Sequence, residues 1–294
     1  MIDLKDLKCL SALARHKHFA RAANECGISQ PAFSMRIRRI EERLQTSIVK
    51  RGNRFQGLTE DGMMIVRHAR AIMDEVEVFE QEFRYSKGDV SGALKLGVIP
   101  SAVAYASLML IELNQAYPNI VMRIESASSL AIQQGLEDGI FDAGITYADG
   151  APRDMLQVEP LYDEGYVLLV PAHLAPRPQG NITWTEAAAI PLCLLEPGMQ
   201  NRRIIDQIFE QVDADPHVIA ETSGFTSAIV LAVQGLAATV LPRVLADSMG
   251  GFDGALTLPL VEPFHERSVC LVSSNRDTGL PTVEALRAVV TKSR

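Results

Sequence analysis

Cysteine is scarce and scattered: four residues, Cys9, Cys26, Cys193 and Cys270, with no pair at metal-ligand or redox spacing. A disulfide-stapled secreted domain and a zinc module are therefore not expected, and no cofactor is. No apolar run reaches the roughly 18 residues that a membrane-spanning helix needs. The opening MIDLKDLKCL lacks the charged stretch and apolar stretch of a secretion signal, so cytoplasmic localisation with reduced thiols is expected. Nucleophile elbows, dinucleotide and phosphate-binding glycine loops and HExxH are all missing. His16 and His18 have no cysteine or carboxylate at ligand spacing, and His68, His173, His217 and His265 are isolated. Catalysis is not expected. Neither a fixed-period repeat nor a low-complexity tract occurs.

What is present is an uneven distribution of charge. The chain of 294 residues carries a net −8. Residues 1–58 hold twelve basic and five acidic residues, a net +7, which leaves −15 for the rest. A basic head on an acidic body implies that only the head meets a polyanion. The length predicts about two domains.

Within the head, Leu4, Leu7, Leu10 and Ala14 follow helical spacing. Phe19, Ala22, Ala23 and Cys26 predict a second, short helix, ended by Gly27, which takes a left-handed conformation cheaply. Ser29 is a good N-cap and Pro31 suits a first turn, so a third helix follows, burying Phe33, Ile37, Ile40 and Leu44. Its other side presents Gln30, Ser34 and Arg38, with Met35 and Arg39 beside them. Three helices with a tight glycine corner form a helix-turn-helix. On that face Gln30 can pair with adenine, Arg38 with guanine or phosphate, and Ser34 tolerates any base, while Pro31 and Met35 can touch a thymine methyl. Residues 48–50 and 55–58 read as two short strands around Gly52-Asn53, a wing tipped by Lys50, Arg51 and Arg54. Arg51 and Arg54 suit phosphates or a narrow minor groove.

Thr59 reads as the N-cap of a long helix to about residue 85. Ile65, Ala69, Ile72, Val76, Phe79 and Phe83 form a heptad seam, which predicts self-association in preference to packing on its own domain. The polar stretch SKGDVSG marks a boundary. Beyond it strands and helices alternate, which reads as α/β with mostly parallel strands. The expected parts are a DNA-binding domain over 1–59, a dimerising linker helix over 60–87, and an effector-binding regulatory domain over 88–294. Within the last, lobe I spans about 92–160 and 266–294, and lobe II about 161–265.

The stretch HFARAANECGISQPAFSMRIRRIEERL and the following VKRGNRFQGLTEDG resemble LysR-type transcriptional regulators. Phe19, Ala22-Ala23, Ser29-Gln30-Pro31-Ala32, Ser34, Ile37, Glu41, Leu44, Arg51, Leu58-Thr59 and Gly62 carry the likeness. Weaker likeness continues through Tyr117-Pro118, residues 137–142, Gln234-Gly235-Leu236 and Leu241-Pro242. His18, Gln45-Thr46 and Val49 depart from the family pattern. The resemblance implies a winged helix-turn-helix, a linker helix, and a two-lobed α/β effector domain like periplasmic binding proteins. It also implies Gln30, Pro31 and Ser34 at the base-reading surface, double-stranded DNA with a roughly palindromic operator, a dimer or tetramer, and RNA polymerase as partners.

Two α/β halves joined by crossing strands bind ligands between them, near helix N-termini beyond strand ends. Polar residues stand at several such positions: Ser101, Ser128, Thr146, Gln200, Asn201 and Thr222, and by resemblance these line the effector pocket. Helix N-termini favour an anion, so an anionic metabolite is expected, with Arg202 adding charge. Capping alone also explains such residues. Two alternatives stay open: a thiol-based redox regulator and a solute-binding protein without DNA function.

Overall fold

The computed structural model describes residues 2–50, 55–85, 90–149, 156–274 and 279–292. The chain divides into two compact units, with the boundary between residues 89 and 90.

In the first unit α1 spans Leu4–His16, started by a reciprocal capping box between Asp3 and Asp6. α2 spans Phe19–Glu25; His18 gives its first turn no side-chain hydrogen bond. Gly27 takes the turn at φ +67°, and Ser29 caps α3, Gln30–Leu44, by accepting from the Ala32 amide at 3.4 Å. Ala22 and Ala23 are fully buried, so α2 can approach its neighbours closely. Leu10, Leu13, Phe33 and Ile40 fill the core, with Phe19 packed edge-on against Phe33. Removing a ring such as Phe33 costs about 3–5 kcal/mol. Leu44 departs from expectation: it is 38% exposed, because the helix ends there and Gln45 turns left-handed.

The expected two-stranded wing reduces, among the described residues, to one bridge between Val49 and Leu58, backed by a Lys50 amide bond to the Gly57 carbonyl. Gly52-Asn53 and the wing-tip Arg51 and Arg54 lie outside the described residues. Thr59 then caps α4, Glu60–Tyr85, accepting from the Gly62 amide at 2.9 Å.

The heptad seam on α4 requires a correction. Ala69 is fully buried and Ile65 half-buried in the core of the head itself, so these two positions face inward. α4 packs along α1 over this stretch, and a small alanine permits the approach. Ile72, Phe79 and Phe83 remain exposed, Phe79 at 67%, with Val76 half-buried.

The second unit contains β1 (Gly92–Val98), a 3-10 turn (Pro100–Ala102), α5 (Val103–Ala116), β2 (Ile120–Ser126), α6 (Ser129–Glu137), β3 (Ala143–Tyr147) and β4 (Leu156–Glu164). There follow β5 (Tyr166–Pro171), β6 (Ile182–Thr183), α7 (Trp184–Ala188), β7 (Leu192–Leu195), α8 (Gln200–Gln211), β8 (Val218–Thr222), α9 (Phe225–Val233) and β9 (Thr239–Pro242). α10 (Arg243–Ser248), β10 (Ala255–Val261), β11 (Arg267–Ser274) and α11 (Pro281–Lys292) complete it.

One sheet runs β2-β1-β3-β11-β4, a second β6-β10-β5-β9, and β7-β8 form a third, bridged to the second between Leu192 and Ala238. The chain passes from the first sheet to the second between β4 and β5, and back between β10 and β11, which defines two lobes. β4 stays in the first sheet to Glu164, so the change of lobe falls later than the expected residue 160. The sheets are mixed rather than mostly parallel. β11 returns antiparallel to both β3 and β4, and β5 lies antiparallel to both β9 and β10. Antiparallel strands here are the returning crossovers that close each lobe.

Candidate nucleic-acid face and effector pocket

On α3 the buried positions Phe33, Ile37 and Ile40 fix which side faces out. Gln30, Pro31 and Arg38 are exposed, Ser34 is half-exposed, and Met35 is 65% exposed. Gln30, Ser34 and Arg38 line an open groove of about 1200 Å³ between α3 and the wing stem, with Lys50 and Phe55 opposite. The head's cations fall into two groups. Arg36 lies 3.1 Å and Arg43 3.4 Å from the buried Asp6 carboxylate, tying α3 to α1, and Arg15 pairs with Glu25. Arg38 has no such partner among the described residues and is available to a ligand.

Glu41 also borders the groove, but its carboxylate is engaged: one oxygen accepts the Ile48 amide at 2.7 Å and the Val49 amide at 3.1 Å. The residue thus fastens the wing to the recognition helix. Gly62 makes the adjoining joint, since a Cβ there would sit 2.2 Å from the Ile48 carbonyl oxygen.

In the second unit a cavity of about 420 Å³ brings together α6, β3, α8 and β11. Of the expected effector residues, Thr146 and Gln200 line it. Three of its lining residues bear a buried polar atom with no partner among the described residues: Ser129 Oγ, Thr146 Oγ1 and Arg267 Nε. Arg203 also lines it, and Asp149 does so while paired with the Arg267 guanidinium at 2.5 Å. Leu130, Ile132, Leu156, Ile204 and Val272 supply apolar wall.

The other expected effector residues lie elsewhere. Ser128 is exposed and caps α6 by accepting from the Ala131 amide at 3.2 Å; its neighbour Ser129 reaches the pocket instead. Thr222 gives its hydroxyl to the Gly224 carbonyl at 3.1 Å. Ser101 and Asn201 are buried, at 3.1 and 3.4 Å from the Tyr147 hydroxyl. Arg202 is no pocket cation: it donates to Asp206, Glu221 and the Leu195 carbonyl. Arg203 and Arg267 hold the charge that Arg202 was expected to bring. Sequence reasoning missed them because it searched strand ends, whereas Arg203 is one helical turn into α8 and Arg267 opens β11.

Glu164 was also missed. It is completely buried and accepts hydrogen bonds from Tyr147 at 2.7 Å, Tyr166 at 3.4 Å and Tyr162 at 3.5 Å. Burial pushes its carboxyl above the usual carboxylate range, against these hydroxyl bonds. The spacing Tyr162-Asp163-Glu164-Gly165-Tyr166 was the available signal.

Cys193 and Cys270 are poorly placed to react with one another. Cys193 and Cys270 are fully buried in different sheets, and Cys270 donates to the Thr146 carbonyl at 3.3 Å. Cys9 and Cys26 share a hydrogen bond inside the head, where burial raises both thiols, Cys9 to about 12.

Residues 4–63 match the family described as bacterial regulatory helix-turn-helix protein, lysR family, and residues 87–294 match the LysR substrate binding domain. The chain is 30% identical to the DNA-binding transcriptional dual regulator OxyR of Escherichia coli K12, over 98% of this chain and 95% of that protein. It is 26% identical, over 82% of each, to the uncharacterized regulator YybE of Bacillus subtilis. Among solved structures, a full-length OxyR from Pseudomonas aeruginosa superimposes with a TM-score of 0.74 at 24% identity, covering 99% of this chain and 98% of that one. Full-length CbnR complexed with its target DNA superimposes with a TM-score of 0.70 at 17% identity, covering 100% of both chains.

Proposed function

The chain belongs to the LysR family and is a DNA-binding transcription regulator with a ligand-binding C-terminal unit; from that premise we propose which residues do each task. Gln30, Ser34 and Arg38 read base edges, Pro31 and Met35 touch thymine methyls, and Arg51 and Arg54 hold phosphates or the minor groove. The observation that carries this is the division among the cations, with Arg36 and Arg43 engaged by Asp6 and Arg38 left open to the groove. Ile72, Phe79 and Phe83, with Val76 beside them, pair two copies through α4, so the operator is roughly palindromic. Such a regulator works where the chromosome is, in the cytoplasm, with RNA polymerase as its partner. The test is a gel-shift titration on genomic fragments selected by the purified protein. Loss of selected binding in Arg38→Ala supports the reading, and unchanged binding removes Arg38 from it. Phe79→Glu with Phe83→Glu, followed by sedimentation, tests the pairing.

The effector is a small anion. Thr146 and Ser129 hydroxyls and the Arg267 Nε–H are donors buried without partners among the described residues, and Arg203 adds charge, so an oxyanion supplies what the cavity lacks. Calorimetry with a panel of small carboxylic acids tests this. A hit lost in Thr146→Val supports it, and a panel without hits, or a hit indifferent to Thr146→Val, overturns it. Burial raises the Cys9, Cys26 and Cys193 thiols above the ordinary range, which argues against peroxide sensing through them.

A further inference from the structure

The cavity between α6, β3, α8 and β11 offers more than donors for an anion. Among the described residues its lining holds three charged side chains, Arg203, Arg267 and Asp149. Asp149 pairs with Arg267 at 2.5 Å, so that anion is answered within the protein. Arg203 is exposed and has no side-chain partner among the described residues. One positive charge is left over, and a ligand with one negative charge balances it. A second carboxylate on the ligand would turn that surplus into an excess of negative charge alongside Asp149. Like charges at such a partly desolvated site repel more strongly than they do in water.

The apolar lining bears on the body of the ligand. Ile132, Leu156, Ile204 and Val272 are buried and form one part of the wall. Gly144 lets two of them meet over the sheet, since a Cβ there would stand 2.4 Å from Ile132 Cγ2 and 3.1 Å from Val272 Cγ2. Leu130 differs from these four: it lines the same cavity yet is 64% exposed. A lone exposed leucine means little on a protein surface. This one follows Ser129 directly on α6, so uncovered hydrocarbon adjoins a buried hydroxyl without a partner. The pair suits a molecule with an acidic end and an apolar body. The one ring in the described lining is that of Tyr147, which is buried and gives its proton to Glu164 at 2.7 Å. The lining thus holds no open aromatic face on which a flat ligand could stack.

We propose that the effector is an aliphatic monocarboxylate. Its carboxylate is taken by Ser129, Thr146 and the Arg267 Nε–H, Arg203 supplies the balancing charge, and its hydrocarbon lies across Leu130 toward Ile204 and Leu156. The proposal rests on the anion reading of this pocket and adds the number of charges and the nature of the body. Each methylene that passes from water to such a wall multiplies affinity by up to about fourfold. A doubly charged acid of the same length must instead bring its second carboxylate to the aliphatic side, where no donor replaces its water.

The experiment is titration calorimetry on the full-length protein without DNA, using acetate, butanoate, pentanoate and heptanoate. Affinity is expected to rise along the series by up to about fourfold per methylene. Glutarate, the dicarboxylate counterpart of pentanoate, should bind more weakly than pentanoate. Benzoate should bind more weakly than heptanoate, which has the same number of carbons. Leu130→Ser, at an exposed position outside the buried face of α6, should flatten the series and leave acetate binding unchanged. A series without slope overturns the proposal, as does glutarate matching pentanoate, benzoate surpassing heptanoate, or a slope that survives Leu130→Ser. The anion reading fails in its own way, and takes this proposal with it: no acid binds, heptanol binds as tightly as heptanoate, or acid binding ignores Thr146→Val. Acids that need Thr146 but bind alike whatever their chain leave the anion reading standing and overturn this proposal alone.

Discussion

The two units handle polar groups in opposite ways. In the head, the cations stay partly exposed and are sorted. Asp6 engages Arg36 and Arg43, Glu25 engages Arg15, and Arg38 is left facing an open groove. In the regulatory unit the decisive polar atoms are buried, and several are unsatisfied. A large polyanion is met by a surface that leaves cations in water until it arrives, where affinity comes from many exchanged counterions. A small ligand is met by a cavity whose donors are already dehydrated, so a few contacts suffice.

The sharpest way to break this contrast is at Gly62. Gly62→Ala drives a Cβ into the Ile48 carbonyl and should cost the head about 3 kcal/mol, as overpacking does. Trp184, the sole tryptophan, lies in the regulatory unit and should report an unchanged urea midpoint. A Trp184 transition that moves as far as the head's would show that the units do not melt separately. Next comes the sorting of cations. Arg38→Ala should weaken selected DNA binding by about 1–3 kcal/mol. Arg36→Ala should instead lower the melting temperature of the head and leave sequence preference intact. A smaller effect is expected in the pocket. Thr146→Val should weaken carboxylate binding by about 1–2 kcal/mol in calorimetry while DNA affinity without effector holds. Smallest is Thr59→Ala, which removes the cap of α4 and should cost about 1 kcal/mol in chemical denaturation of the head.

Much of the head is legible in the sequence because its signals are local. Ser29, Thr59 and Gly27 each do in the structure what their chemistry suggests, and the spacing of Phe33, Ile37 and Ile40 sets the outward face of α3. On α4 the periodicity does not say which stretch of a long helix lies against its own domain, and Ile65 and Ala69 turn out to face the head's core. In the regulatory unit two strands carry an internal proline, which masks their pattern in the sequence. β10 contains Pro259, at the point where pairing passes from β5 to β6, and β4 contains Pro160, on an edge strand beside a bulge. A proline there leaves no central ladder bond unmade. The pocket was least legible. Its unsatisfied atoms come from α6, β3 and β11, far apart in the chain, while Ser128 and Thr222 looked equivalent and spend their hydroxyls on neighbouring groups.

Glu41 has a consequence for the operator. One carboxylate pins two successive amides of the wing stem to the recognition helix, and Gly62 lets the next helix abut the Ile48 carbonyl. The head is thereby a gauge of fixed width. Where the distance between adjoining grooves does not match it, the duplex must narrow or bend. Base steps the protein never touches are then selected for their pliability.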